Sequence, residues 1–273
     1  MTIRTMTEAD LERVLDWAAA EGWNPGLDDA RPFLAADPQG FFLAERDGRP
    51  VAAISVVNHD ATTAFLGLYL CLPEWRGRGI GYALWSHALA HAGARTVGLD
   101  GVAAQQANYA RSGFALAEAT LRLEGPIAPT EPLRAATAAD LPAILALDRA
   151  ANGHDRAGFL SEWTRATATR QTVVLDNGRG IDGWATARLC RQGCKIGPVI
   201  APDSPGALRL IGAVAAAVGC FRGIVDVPDR NAALIAALAD HGFAETFRTA
   251  RMYRGPAPVT GPGLQATATL ELG

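Results

Sequence analysis

The sequence predicts a mixed α/β protein of two similar domains in tandem, each with a mixed, mostly antiparallel central sheet flanked by helices. The chain has 273 residues, of which 49% are hydrophobic and 19% charged. That composition is typical of well-cored globular domains, and the length is sufficient for two of them. The second half repeats the first at an offset of about 130 residues. Short strands alternate with amphipathic helices, an order that favours helices packed on a sheet.

The repeat is clearest at the two ends of each half. Residues 3–11 align with residues 133–141, and both segments predict a short strand, a threonine N-cap and an amphipathic helix. Ser112-Gly113-Phe114 aligns in the same way with His241-Gly242-Phe243. We expect an N-terminal domain at 1–125, a proline-rich linker at 126–132, a C-terminal domain at 133–256, and a tail at 257–273 that is either loose or an extra strand.

The elements of the first half follow from its periodicity and its turn residues. The prediction is a strand at 2–6, helices at 8–20 and 26–36, a hairpin of 41–45 and 51–57 around Asp47-Gly48, a strand at 64–72, a helix at 79–92, a strand at 96–99, a helix at 103–112 and a final pair of strands from 114 onward.

Charge and hydropathy exclude several classes of protein. The net charge is −3 and no basic tract stands out, which argues against a nucleic-acid partner. The longest nearly apolar run, 210–221, is shorter than the ~20 residues that a bilayer requires. The four cysteines are irregularly placed and do not form a zinc pattern, so we expect no metal. We therefore expect a soluble, cytoplasmic protein with no membrane partner.

The stretch from Leu70 to Tyr82 carries the most information about chemistry. A strand, a glycine-rich loop and a helix follow one another there, so loop amides and the positive end of the helix converge on one anion site. A P-loop is excluded because no Gly-Lys-Ser/Thr ends the loop. A dinucleotide fingerprint would need a third glycine where Tyr82 stands. The remaining interpretation is a clamp for the diphosphate of coenzyme A.

The loop Arg76-Gly77-Arg78-Gly79-Ile80-Gly81, preceded by Pro73-Glu74-Trp75, resembles the GNAT superfamily of acyl-CoA N-acyltransferases. The family's motif is Arg/Gln-x-x-Gly-x-Gly/Ala between its fourth strand and third helix, and the resemblance extends over roughly residues 2–125. It implies that the loop amides bind the pyrophosphate of acetyl-CoA and that the backbone of the fourth strand receives the rest of the cofactor. The residues implied in binding are Leu70, Cys71, Leu72, Arg76, Gly77, Arg78, Gly79, Ile80, Gly81, Tyr82, Asn108 and Tyr109.

The resemblance also indicates catalytic candidates. Tyr109, four residues before Gly113-Phe114, occupies the place of the family tyrosine near the thioester sulfur. A phenol is protonated at neutral pH and can donate a proton to the leaving thiolate. Some family members have a carboxylate base on the fourth strand, but this chain has no acid at 64–71. Asp100 is a weak candidate for the base, and still weaker candidates are Glu45, His59 and Asp60.

The second half lacks the corresponding residues. Pro205 stands where the first half has Arg76, the alternating glycines are missing, and Leu238 replaces Tyr109. A proline also removes an amide donor. Asp226 occupies the position that corresponds to Asp100, so the second half retains the scaffold of the fold. The sequence thus resembles a tandem GNAT protein with a degenerate C-terminal GNAT-like domain.

Two functions of different classes follow from these observations. The first is an N-acetyltransferase that moves an acetyl group from acetyl-CoA to a primary amine of a small molecule or a protein. The second is an acyl-CoA-binding sensor or interaction protein without turnover. The complete loop together with Tyr109 favours the enzyme. Trp23, in the rigid loop after the first helix, is a candidate for lining the acceptor pocket.

Overall fold

The computed structural model describes residues 1–128 and 130–273. Its helices are α1 (Glu8–Ala20), α2 (Ala30–Ala36), α3 (Ile80–His91), α4 (Gln106–Arg111), α5 (Leu141–Asn152), α6 (Ala157–Trp163), α7 (Ser204–Ala217) and α8 (Ala232–Asp240). Its strands are β1 (Thr2–Thr5), β2 (Phe41–Arg46), β3 (Arg49–Asn58), β4 (Thr63–Cys71), β5 (Thr96–Gly101), β6 (Ala115–Pro126), β7 (Arg134–Ala135), β8 (Arg170–Asp176), β9 (Ile181–Leu189), β10 (Cys194–Ile200), β11 (Arg222–Pro228), β12 (Ala244–Arg254) and β13 (Leu264–Ala266).

Helix α1 shows why the first elements form where the sequence places them. The Thr7 hydroxyl accepts from the Asp10 amide at 3.2 Å, and the Asp10 carboxylate accepts from the Thr7 amide at 3.0 Å. This reciprocal capping box satisfies two amide donors that the start of a helix leaves free. The same pair, Thr137 and Asp140, recurs at the matching place in the second half. The predicted threonine cap is confirmed in both.

The strands form one continuous mixed sheet rather than two separate ones. Its order is β1-β2-β3-β4-β5-β12-β6-β11-β10-β9-β8-β7, with β13 added beside β10. The pairs β4–β5 and β10–β11 are parallel, and the other pairs between the described strands are antiparallel. The predicted fold class, two α/β halves built on a mostly antiparallel sheet, is confirmed.

The halves are joined by an exchange of their last long strands. Strand β6 of the first half lies beside β11 of the second, and β12 of the second half lies beside β5 of the first. The predicted pair of strands after residue 114 was wrong, because that segment is one strand of 12 residues. The antiparallel partners of β6 come from the other half of the chain. The limits 1–125 and 133–256 stay predictions.

A bulge shapes the strand that leads to the glycine-rich loop. Leu68 has φ +45°, and the register of β4 against β3 shifts beside it, between Ala53 and Ser55. A bulge re-aims the residues that follow it. The parallel pairing of β4 with β5 ends at Leu66 and Leu99. Beyond that point the two strands diverge and leave a slot at the carboxyl end of β4.

Residues 264–273 form part of the core. The tail at 257–273 was predicted to be either loose or an extra strand, and β13 is that extra strand. Leu264, Ala268 and Leu272 then join the apolar cluster that also holds Leu11 and Val14 of α1. This cluster contains residues of both halves, so the C-terminal segment helps to fix one half against the other. Among the described helices, none is both long and apolar enough to cross a bilayer.

Candidate active site

The glycine-rich loop turns into α3 with its amide groups free. Gly77 and Gly79 adopt φ values of +73° and +76°, which favour glycine. Gly79 is the N-cap residue, no side chain caps the helix, and the first helical bond runs from the Ala83 amide to the Gly79 carbonyl. A Cβ added at either glycine would meet no atom of the described residues within 4 Å. The start of α3 can therefore receive an anion without steric hindrance.

The two arginines of the motif hold the loop in shape. The Arg76 Nε donates to the Cys71 carbonyl at 2.8 Å, and its Nη2 lies 2.5 Å from Glu21 Oε1. These contacts tie the loop to the end of β4 and to the residue that ends α1. The guanidinium of Arg78 lies 5.0 Å from the centre of the Trp75 ring. The loop is thereby fixed at both of its arginines.

A cavity of about 900 Å³ opens beside this loop and is lined by both halves of the chain. Most of the predicted site residues line it, namely Leu70, Cys71, Arg76, Gly77, Gly79, Gly81, Tyr82, Asp100 and Tyr109. Trp23, predicted for the acceptor pocket, lines it too. The second half contributes Thr246, Phe247 and Thr249 of β12, together with Leu270 and Glu271.

Four predicted binding residues lie next to this cavity. Leu72 directly follows β4, and its amide donates to the Val51 carbonyl at 3.0 Å. Ile80 is buried under the loop, with 2% of its surface exposed. Arg78 lies on Trp75, as described above. Asn108 lines a neighbouring groove between α3 and α4 that Tyr109 shares.

Tyr109 occupies a largely apolar position between the cavity and the groove. Its ring stacks on Trp85 at 5.4 Å with an interplanar angle of 9°, and Phe114 packs edge-on against it. Burial, with a smaller effect of Tyr69, raises the pKa of Tyr109 to about 12. The phenol is therefore protonated at neutral pH and can act as a proton donor.

Asp100 is fixed by a buried ion pair. The Arg251 Nη2 lies 2.7 Å from Asp100 Oδ2, and Thr249 Oγ1 lies 3.2 Å from Asp100 Oδ1. The side chain of Asp100 has no exposed surface. Burial raises the pKa of this carboxyl, and the adjacent Arg251 guanidinium opposes the rise. Through these contacts Asp100 joins β5 to β12. Its role as a base stays a prediction.

The weaker base candidates have structural contacts of their own. Glu45 pairs with Arg4 at 2.8 Å, Asp60 accepts the amide of Asp155 at 3.1 Å, and His59 Nε2 lies 2.7 Å from the Leu272 carbonyl. None of the three is among the described residues that line the cavity. No group of three or more potential metal ligands occurs among residues 1–128 and 130–273.

The slot of the second half is filled by the chain itself. There β10 and β11 pair in parallel only as far as Ile196 and Val225. Beyond that point β13 pairs with β10 at Val199 and Ile200, and the Thr267 amide donates to the Asp226 carbonyl of β11 at 2.9 Å. The C-terminal segment thus occupies the place that corresponds to the open slot of the first half.

The helix start of the second half is closed as well. Asp203 caps α7, and its carboxylate accepts from the Gly206 amide at 2.8 Å. A carboxylate at this place repels a phosphate by its like charge. Leu238, at the position of Tyr109, is buried in the core with 1% exposure. Sequence reasoning found the lost residues, whereas the filling of the slot by the tail was not predicted.

Several residues that line the cavity were not predicted from the sequence. Tyr69 precedes the predicted backbone site by one residue and carried no motif of its own. Thr246, Phe247 and Thr249 reach the first site only because β12 crosses into the first half. Glu271 lay in a segment interpreted as a tail. The exchange of strands is a feature of the tertiary structure, and no local sequence signal predicts it.

Comparison with known proteins agrees with this architecture. Residues 8–114 match a family described as the acetyltransferase (GNAT) family, and residues 144–262 match an acetyltransferase (GNAT) domain. The chain is 34% identical over 278 residues to holothin acyltransferase from Pseudoalteromonas sp. (strain SANK 73390), covering 98% of this chain and 94% of the relative.

Two solved structures share the whole fold. A candidate acetyltransferase from Pyrococcus horikoshii is 20% identical with a TM-score of 0.82, covering 100% of this chain and 95% of that one. A tandem GNAT protein from the clavulanic acid biosynthesis pathway is 19% identical with a TM-score of 0.62, covering 94% and 99% respectively. The GNAT motif, the open slot and these matches together establish that the chain belongs to the GNAT acetyltransferase family and carries two GNAT domains in tandem.

Proposed function

We propose that the first half transfers an acetyl group from acetyl-CoA to the nitrogen of a primary amine. The observation that carries this proposal is the open slot between β4 and β5, which brings the Gly77–Gly79 loop and Tyr109 to one cavity. In this proposal the amides at the start of α3 bind the diphosphate. The thioester lies at the end of β4, near Leu70 and Cys71.

The reaction needs a base and an acid. The neutral amine attacks the thioester carbon, a C–N bond forms, and the C–S bond breaks with its electron pair on sulfur. Tyr109 donates its proton to that sulfur and regains a proton released from the nitrogen as the amide forms. Burial raises the pKa of Tyr109 to about 12, so the phenol carries its proton at neutral pH.

The name of the 34% identical relative suggests a first acceptor to test. Holothin is the substrate in that name, and we propose it, or a molecule of similar size, as an acceptor for this protein. The cavity supports a small acceptor, because its volume is about 900 Å³ and residues of both halves line it. We further propose that the protein acts in the cytoplasm, without a metal ion or nucleic acid.

A titration followed by a turnover assay tests the proposal. Isothermal titration with acetyl-CoA is expected to give one site per chain, since β13 and Asp203 block the second. Release of CoA thiol is then measured with holothin, n-butylamine and aniline as acceptors. Tight binding without release of CoA for any acceptor would favour a sensor instead of an enzyme. Two sites per chain would contradict the blocked second slot.

A further inference from the structure

Glu271 is brought to the first half by the C-terminal segment of the second. Thr269 and Leu272 on either side of it have no exposed surface. The carbonyl oxygen of Glu271 lies against β4 so closely that a Cβ on Gly67 would come within 2.1 Å of it. The Glu271 amide donates to Thr269 Oγ1 at 2.8 Å. The backbone of this residue is therefore held firmly beside the strand that leads to the cofactor loop.

The side chain of Glu271 is buried and lines the same cavity as Tyr109. Only 6% of the residue is exposed. Within the described part of the chain, the hydrogen bond of Glu271 is made by its backbone amide, and no donor pairs with its carboxylate. The carboxylate oxygens are not among the fully buried unpaired atoms, so they keep accessible surface. A buried carboxylate is costly unless a hydrogen-bond donor or an opposite charge compensates it. The carboxylate thus has the capacity to accept a donor from a molecule in the cavity.

Three other carboxylates line this cavity, and each has a partner. Asp100 is paired with Arg251, as described above. Glu21 is paired with Arg76 at 2.5 Å, and Glu124 Oε1 accepts from Thr246 Oγ1 at 2.9 Å. Among the carboxylates of the described cavity lining, Glu271 is the one without a hydrogen-bond donor.

Three buried cations interact with the charge of Glu271, namely Arg122, Lys195 and Arg188. Burial opposes the charge of Arg122, but Asp226, Glu271 and Glu124 together raise its pKa. Burial and the nearby charge of Arg122 lower the pKa of Lys195, whereas the charge of Glu271 raises it. The charge of Glu271 also acts to raise the pKa of Arg188 of β9. The Glu271 carboxylate lies near these cations and also lines the cavity, where it can pair with an acceptor ammonium.

We propose that Glu271 binds the acceptor amine and removes its proton, in place of the acid that β4 lacks. This assignment rests on the proposed acyl transfer. An alkylammonium gives one proton to the Glu271 carboxylate, and the freed electron pair on nitrogen attacks the thioester carbon. Glu271 later releases that proton to solvent. An ordinary alkylamine, with pKa ≈ 10.4, is almost fully protonated at neutral pH, so this step is required before attack.

The proposal gives the second half a direct part in catalysis. Its own slot is filled by residues 264–267, and the same segment continues into the first site as far as Glu271. The filled slot of the second half and the supply of a base to the first half are then two effects of one C-terminal segment.

Glu271→Gln keeps the size of the side chain and removes its capacity to take a proton. Glu245→Gln is the matched control, since Glu245 is a second-half carboxylate that pairs with Arg248 on the exposed side of β12. Both variants are compared with the wild type by CoA release with holothin, n-butylamine and aniline across pH 6–10. Acetyl-CoA affinity and melting temperature are measured for each, to separate a chemical effect from misfolding.

With n-butylamine at neutral pH, kcat/KM of Glu271→Gln is expected to fall by about 100-fold or more, the usual effect of losing a general base. Its rate should recover about tenfold per pH unit as the free amine accumulates. Aniline is already neutral at pH 7, so the fall with aniline should be far smaller. Acetyl-CoA affinity and the Glu245→Gln control should match the wild type.

Three results would overturn the assignment in different ways. Wild-type rates and an unchanged pH profile in Glu271→Gln, with CoA release intact, would remove Glu271 and leave the proposed function standing. Equal losses with n-butylamine and aniline would show a structural role only. No CoA release by the wild type with any of the three acceptors, despite binding of acetyl-CoA, would overturn the proposed function and the base together.

Discussion

Asp100 of β5 and Arg251 of β12 form a buried ion pair that joins the two halves of the chain. The two residues are direct cross-strand partners, and the guanidinium lies 2.7 Å from the carboxylate. Asp226 of β11 and Arg122 of β6 form the same pair at 2.8 Å at the matching place. Each pair links one half's carboxylate to the strand supplied by the other half. The exchange of β6 and β12 is thus fixed by charge at two related points.

Arg251→Ala should destabilise the protein by about 3–5 kcal/mol, because it leaves Asp100 buried without its cation. Urea denaturation measures the loss. Arg248→Ala on the same strand removes an exposed pair with Glu245 and should change stability little. Equal effects of the two variants would show that the buried pair does not hold the halves together.

Gly79→Asp should abolish binding of acetyl-CoA, since it places a negative charge at the proposed diphosphate site. Gly79→Asn is the control for the backbone, because asparagine has nearly the same shape and tolerates positive φ. Asn should weaken binding much less than Asp. Calorimetric titration of both variants decides the point, and equal affinities for Asp and Asn would mean that the loop does not contact the diphosphate.

Tyr109→Phe should lower kcat while leaving the affinity for acetyl-CoA nearly intact. The change removes one hydroxyl and preserves the stacking of the ring on Trp85. If the hydroxyl protonates the departing thiolate, kcat should fall by ~10²–10⁴-fold. The measurement is CoA release with a good acceptor, beside a binding titration of the same variant. A wild-type kcat would assign Tyr109 to packing alone.

Stability should fall as the pH drops below about 6.5, the ordinary pKa of histidine. Burial, together with His154 and Arg156, lowers the pKa of His59 to about 3, and burial with Arg156 lowers that of His154 to about 4. As the pH falls, the unfolded chain therefore takes up these protons before the folded chain does. The contribution of the two neutral histidines to the free energy of unfolding is complete above pH 6.5 and is lost between pH 6.5 and about pH 4 for His154 and about pH 3 for His59. The loss by pH 5 should be about 1–2 kcal/mol per histidine.

His59→Gln tests this dependence. Glutamine can still donate to the Leu272 carbonyl that faces His59 Nε2, and it does not titrate. Urea unfolding at pH 5 and pH 7 should show a smaller difference for this variant than for the wild type. His241→Gln, at an exposed helix end, is the control. Identical differences for all three proteins would show that His59 does not govern the acid response.

The local elements were largely predictable because their signals lie within a few residues. The threonine N-caps, the Asp47-Gly48 turn and the glycine-rich loop each depend on short-range geometry, and the structure contains all of them. Most of the predicted binding residues line one cavity for the same reason. The segment after residue 114 was interpreted incorrectly because the pairing of a long strand depends on a partner far away in the chain.

The sequence by itself determined the family, the repeat, the loop that suits a diphosphate, and the loss of that loop in the second half. Only the tertiary structure decided that the halves exchange strands, that the tail fills the second slot, and that Glu271 enters the first site. Gly67 and Gly197 illustrate the reason. They occupy matching bulged positions in the two halves, and each lies against the backbone of the C-terminal segment, at Glu271 and Thr267 respectively. A glycine in a strand indicates a close approach but does not identify what approaches, because contacts over such sequence distances are set by packing of the whole chain.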